Sequence, residues 1–159
     1  MQIMMTFISR PQIIFLSALI SIAIFVYGAV YPLSALLDEK FTAEETLKAF
    51  ALLKENEELG SHLTRTIILD TILPFTLAAA FAGIIGCCGG DRMQPLAYLP
   101  FAATGFDLTE NFVQIAALLG QIAYLDFKIV LTVGKFNFYG LGFVLSVIAL
   151  GSWLHRRSR

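Results

Sequence analysis

The residues with the most chemistry in them are Asp107, Glu110, Asn111 and Gln114, set within a stretch otherwise apolar enough to lie in a bilayer. On a helix, Asp107, Glu110 and Gln114 fall at i, i+3 and i+7, with Asn111 at i+4. All four therefore lean toward one side. Two carboxylates beside carboxamides can hold a cation, pass a proton or orient a polar head group. Ionisable groups inside a membrane helix are expensive, and they face protein, ligand or trapped water. Three further candidates lie elsewhere in the chain: Asp70, four residues before Pro74, and Thr132 with Lys135 three residues on.

Those side chains need helices that cross a membrane. The chain has 159 residues, 57% hydrophobic and 14% charged, with a mean hydropathy of +0.76. A soluble domain carries about a quarter charged residues. The net charge of −1 argues against a nucleic-acid partner. Four apolar segments, residues 12–37, 66–88, 95–119 and 127–153, each meet the requirement of about 20 apolar residues for a span. The expected fold is all-α: one polytopic membrane domain over residues 1–159, with four transmembrane helices. The first segment is too long for the roughly 7–15 apolar residues of a signal peptide core, so it reads as a retained helix.

Between the first two spans, Thr42-x-x-Glu45 forms a capping box, and Leu47, Phe50 and Ala51 share one face. Residues 42–59 are thus expected to form an interfacial amphipathic helix, a lid over the outer mouth of the bundle. A solvated connector is the plainer alternative. Arg10, Arg92, Arg156, Arg157 and Arg159 fall on one side of the four-span layout. The positive-inside rule then places both termini in the cytoplasm. Adjacent Cys87 and Cys88 lack redox or zinc spacing, and His62 and His155 are isolated. No metal or cofactor is expected.

Helix rise brings the polar residues to one level. At about 1.5 Å per residue, Glu110 lies roughly 13 Å, Lys135 roughly 10–12 Å and Asp70 roughly 6–8 Å below the outer ends of their helices. The simplest arrangement is a Lys135 ammonium held by Glu110, with Asp107, Asp70, Asn111 and Thr132 around it. A structural clamp that fixes helix register would explain this cluster. So would a site, because three acids against one lysine are hard to bury unless a proton, cation, ligand amine or water shares the surplus.

The stretch Phe106-Asp107-Leu108-Thr109-Glu110-Asn111, followed by Thr132-x-x-Lys135, resembles a family of small bacterial four-helix membrane proteins. That family shows Phe-Asp-x-x-Glu-Asn in the third helix, Thr-x-x-Lys in the fourth, and an Asp shortly before a Pro in the second, as Asp70 and Pro74 stand here. The resemblance covers most of the chain from Thr42 on. It implies a bacterial inner-membrane location and the same choice of residues, and no activity. In layout alone the chain is also similar to the emopamil-binding and sigma-2 receptor superfamily, which binds or isomerises sterol-like amphiphiles. Its loops are shorter, it has no intramembrane histidine, and its acids are placed differently.

Three functions are compatible with these residues. In the first, Asp70, Asp107, Glu110, Asn111, Gln114, Thr132 and Lys135 bind, or bind and modify, a lipid-like amphiphile in a cavity open toward the outer leaflet. In the second, the chain is a non-catalytic accessory subunit among other membrane subunits. This reading answers to the lack of a nucleophile–base pair or nucleotide loop. In the third, the carboxylates form a relay in a proton- or cation-coupled transporter, though the inverted repeats of such proteins are missing. A lipid-filled cavity around Glu110 would favour the first, a dry paired clamp the second, and a wet path the third. No catalytic residue is assigned.

Overall fold

Apolar length sets the frame of the computed structural model, which describes residues 2–35, 37 and 40–159. The helices are α1 (Gln2–Ile8), α2 (Pro11–Val30), α3 (Ala43–Glu55), α4 (Leu59–Cys88), α5 (Leu99–Leu118) and α6 (Lys128–Arg157). Two 3₁₀ stretches, Asp91–Tyr98 and Ile122–Phe127, lead directly into α5 and α6. Among the described residues there is no strand, so the all-α class holds. Three helical runs are long and apolar enough to cross a membrane: Pro11–Val30, Leu59–Cys88 and Ile122–Arg157. α5 is not one of them, because Asp107, Thr109, Glu110, Asn111 and Gln114 dilute its apolar character.

Several boundaries move from the sequence expectation. The first span is shorter, since the helix starts with Pro11 in its first turn and ends at Val30, and Tyr31 has left helical geometry. Of the expected remainder to residue 37, Leu36 lies outside the described residues. The second helix is longer: α4 begins at Leu59, with Gly60 in its first turn, ahead of the expected start at residue 66. Residues 91–98 are 3₁₀ rather than the start of the third span. The chain before Pro11 forms a helix of its own, α1, with Met5 and Ile8 buried against Ala82, Ile85 and Ala97. No periodicity announces so short an amphipathic piece.

α5 packs most extensively on α6, and α4 contacts α2, α5 and α6. The turn that makes α5 and α6 neighbours ends α5 at Gly120, whose φ of +95° suits glycine and almost nothing else. α4 approaches the α1–α2 corner closely. A Cβ on Gly83 would lie 2.8 Å from the Ile8 carbonyl oxygen and 2.5 Å from Ile14 Cγ1. The Ala79-x-x-x-Gly83 spacing serves that contact, as small residues do between membrane helices. α2 buries only Ser17 and Ser21. Ser21 shares a hydrogen bond with Thr76 of α4 at 2.9 Å.

α3 begins with the capping box foreseen from Thr42 and Glu45: Glu45 N–H donates to Thr42 Oγ1 at 3.2 Å, and Thr42 N–H to Glu45 Oε2 at 3.2 Å. Its inner face carries Ala49, Phe50 and Leu53, which join Val113, Ala117 and Leu125 in one apolar cluster. Leu53 is fully buried, a contact worth about 1.5–3 kcal/mol. α3 therefore caps the end of α5 and the entry to α6.

Candidate functional site

Two places in the molecule concentrate polar side chains in apolar surroundings. The first lies between α5 and α6. Glu110 is fully buried, and Asp107, Asn111, Gln114, Thr132 and Lys135 are buried around it. Lys135 Nζ lies 2.7 Å from Glu110 Oε2 and 3.3 Å from Asp107 Oδ1. Thr132 donates its hydroxyl to Glu110 Oε1 at 2.6 Å, and Tyr139 donates to Asp107 Oδ2 at 3.2 Å. The sequence reading of Glu110, Asp107, Thr132 and Lys135 as one group thus matches the geometry.

The group also holds a charge that the sequence reading left out. Lys128, fully buried, pairs with Glu110 Oε1. Two lysines thus stand beside Asp107 and Glu110, one more cation than the sequence reading placed there. Lys128 is the first residue of α6. A lysine there faces the positive end of the helix dipole. Taking a charge out of water costs several kcal/mol, which the ion pair must repay. Sequence reasoning missed it because a lysine at a helix opening resembles one that snorkels to the membrane surface. Tyr139, seven residues after Thr132 and so on its face, was missed too.

Asp70 lines a cleft between α2 and α4 and is engaged within the protein, and its backbone carbonyl also meets α5. Pro74 has no N–H to give the carbonyl four residues earlier, so the Asp70 carbonyl is left over by its own helix. Asn111 Nδ2 donates to that oxygen at 2.9 Å. One turn along, Thr104 donates its hydroxyl to the Pro74 carbonyl at 3.0 Å. The proline gap in α4 is thus filled by α5. Asn111 Oδ1 is buried without a hydrogen-bond partner among the described residues, an acceptor still available to a small donor.

The second place is that cleft. It encloses about 440 Å³, with Ile24, Phe25, Leu73 and Phe136 as apolar walls and His62, Arg65 and Asp70 along α4. The volume falls within the roughly 300–1,000 Å³ of small-molecule pockets. His62, set aside in the sequence as an isolated residue at a membrane edge, is buried, with Nε2 3.5 Å from Thr66 Oγ1. Its position four residues before Thr66 and eight before Asp70 puts the three on neighbouring turns of one helix face. In the sequence that spacing carries no signal, since a lone histidine on an apolar helix is an ordinary thing.

The two places share α4 but differ in chemistry. The α5–α6 group satisfies its charges internally and holds two helices in register. The α2–α4 cleft leaves apolar wall and ionisable side chains around open volume. No family model matches the sequence, and no curated protein or solved structure matches it either.

Proposed function

We propose that this is a four-span membrane protein, with α2, α4, α5 and α6 crossing the bilayer, that binds a lipid-like amphiphile in the cleft between α2 and α4. The observation that carries the reading is the cleft itself: apolar walls from α2 and α4, with Phe136 of α6, and His62, Arg65 and Asp70 along one side. Apolar walls with a few convergent polar groups are the usual composition of a small-molecule pocket. In this reading the α5–α6 group is scaffold, because its carboxylates are already taken by Lys128, Lys135, Thr132 and Tyr139. α5 spans as the fourth helix because its polar residues are covered by α6 and α4 instead of lipid. The basic residues Arg10, Arg92, Arg156 and Arg157 put both termini on the cytoplasmic side of a bacterial inner membrane. Arg156 supports the grouping, since it donates to the Cys88 carbonyl at 2.5 Å and ties the end of α6 to that of α4.

Gly28 offers a clean test. It lines the cleft, and a Cβ placed on it would meet nothing within 4 Å. Gly28→Leu therefore fills the cleft without a backbone clash, and leucine favours helix over glycine by somewhat under 1 kcal/mol. The variant is expected to be at least as stable as the parent and to lose a small molecule that the parent retains through mild-detergent purification, read by native mass spectrometry. Equal retention by both proteins would remove the cleft from the proposal.

The paired α5–α6 group favours a second reading, an accessory subunit of a larger membrane complex, since a clamp paired within the protein needs no ligand. In that case the same spectra show a partner protein on both parent and variant, and no retained amphiphile. A relay through the carboxylates has less support, because Glu110 is fully covered by protein.

A further inference from the structure

We infer that the amphiphile held in the α2–α4 cleft carries an anionic head, a carboxylate or phosphate, seated on Arg65; this rests on the cleft reading above. Arg65 stands where two cavities meet. One is the 440 Å³ cleft, and the other, of about 670 Å³, is bounded by Tyr27, Glu57, Ser61 and Thr64. Arg65 and Leu69 line both. The first cavity has the walls of a chain site, and the second lies at the polar end of α4.

The guanidinium is held in place by neutral groups. Nη2 donates to the Tyr31 carbonyl at 2.5 Å, and Cζ lies 5.5 Å from the centre of the Tyr27 ring. Among the described residues no carboxylate is paired with it. The contrast with the other embedded cations is direct, since Lys128 and Lys135 each have an acid partner. Arginine has five donors in a planar fork, of which this contact uses one, and the fork matches a carboxylate or phosphate through two parallel bonds. Tyr27 and Tyr31 mark the interface level, where lipid heads sit. A head at Arg65 lets one chain descend past Leu69 toward Leu73 and Phe136. The volume suits one chain and excludes a complete two-chain lipid.

Three acids lie within range and bear on the sign. Asp70 is five residues deeper along α4, about 7.5 Å, and it is already engaged within the protein. Glu57 is exposed at the rim of the outer cavity. Glu58 feels the Arg65 charge, but its carboxylate is held by the Ser34 N–H at 2.7 Å. Among the described residues none forms an ion pair with Arg65, so an anion adds a charge pair there, whereas an amine head would have to displace the existing contacts of Asp70 or Glu58.

The test compares dodecyl phosphate, dodecylphosphocholine, dodecyltrimethylammonium and inorganic phosphate on the full chain in a neutral detergent. Binding is read by native mass spectrometry and by competition. Dodecyl phosphate is expected to bind about tenfold or more tightly than the zwitterion, a ratio that falls to near one in Arg65→Gln. Arg65→Lys, which keeps the charge and the fold but not the fork, should retain part of the preference. A preference for the quaternary amine, or a ratio unchanged in both Arg65 variants, overturns the anionic head. Saturation by inorganic phosphate as tight as by dodecyl phosphate overturns it as a lipid site. Gly28→Leu separates the two levels of the argument. If it abolishes binding of every dodecyl probe while the amine binds best, the cleft stands and the head assignment falls. If it changes nothing, the cleft itself falls.

Discussion

The α5–α6 interface and the α2–α4 interface bury similar residue types to opposite effect. Between α5 and α6, Glu110 and Asp107 meet Lys128 and Lys135, with Thr132 and Tyr139 taking further oxygen valences. Between α2 and α4, His62, Arg65 and Asp70 border about 440 Å³ of space. Ionisable side chains in a membrane helix thus mark function only after their partners are counted. Where the chain supplies the counter-charges, the group is a fastening. Where it leaves volume beside a cation with no ion-pair partner among the described residues, there is room for a molecule.

The largest test of this contrast is Lys128→Met. Removing one partner of a buried pair leaves a charge uncompensated, at a cost of about 3–5 kcal/mol. The thermal midpoint in detergent should fall sharply. Lys135 is then left to hold both Glu110 and Asp107. Adding Glu110→Gln removes one of the two acids and should recover part of the loss, while Glu110→Gln alone destabilises, because Lys128 then faces no carboxylate. A single Glu110→Gln as stable as the parent would revive the surplus-acid picture and return the α5–α6 group to candidacy as a site.

Asn111→Leu probes the seam between the two regions. It strips the donor from the Asp70 carbonyl that Pro74 cannot serve. An unsatisfied buried carbonyl costs about 1–3 kcal/mol. The variant should lose that much stability, and its ligand retention should weaken only as far as α4 shifts beside the cleft. Full stability with unchanged amphiphile retention would show the proline gap to be served from elsewhere.

The smallest effect is one of pH at the polar end. Hydrogen bonds from the Ser34 side chain and backbone amide hold the Glu58 carboxyl below its ordinary 4.5, and backbone bonds from Thr42 and Phe41 do the same for Glu45. Both groups have folded values lowered relative to the unfolded chain. Their contribution is therefore complete above 4.5 and is lost as pH falls through the lower folded values. Amide exchange at Ser34 and in the first turn of α3 should rise on acidification through that range, with the α5–α6 helices still protected. In Glu58→Gln the pH step at Ser34 should vanish.

How much of this was written in the sequence depends on the scale of the signal. Apolar runs announced α2, α4 and α6, and the capping box announced α3, since each rests on local residue types. Asp107, Glu110, Asn111 and Gln114 were legible as one inward face because helix periodicity alone places them. Lys128 was not, because its burial depends on a 3₁₀ lead-in and on α3 closing over Leu125. Asp70 was legible as unusual beside Pro74, yet which of its atoms mattered to the α5–α6 group was a question of how α5 docks. The cleft was illegible altogether, since a cavity is made by what two helices fail to fill.

The pairing of Glu110 with lysines on the next helix also has a consequence for how the chain enters its membrane. Synthesis runs from the amino end, so α5 emerges while both of its counter-ions are still unmade. At the centre of a span, an acidic side chain costs roughly 2.5–3.5 kcal/mol on insertion, and Asp107 and Glu110 would each incur such a cost alone. Lys128 appears ten residues after the end of α5, in the first turn of α6, as its helical range requires. In the four-span reading the two helices are then committed to the bilayer together, as one hairpin in which Lys128 and Lys135 meet Glu110 and Asp107. A chain truncated just before Lys128 should accordingly leave α5 at the surface, accessible to a water-soluble label at a cysteine placed at Thr109.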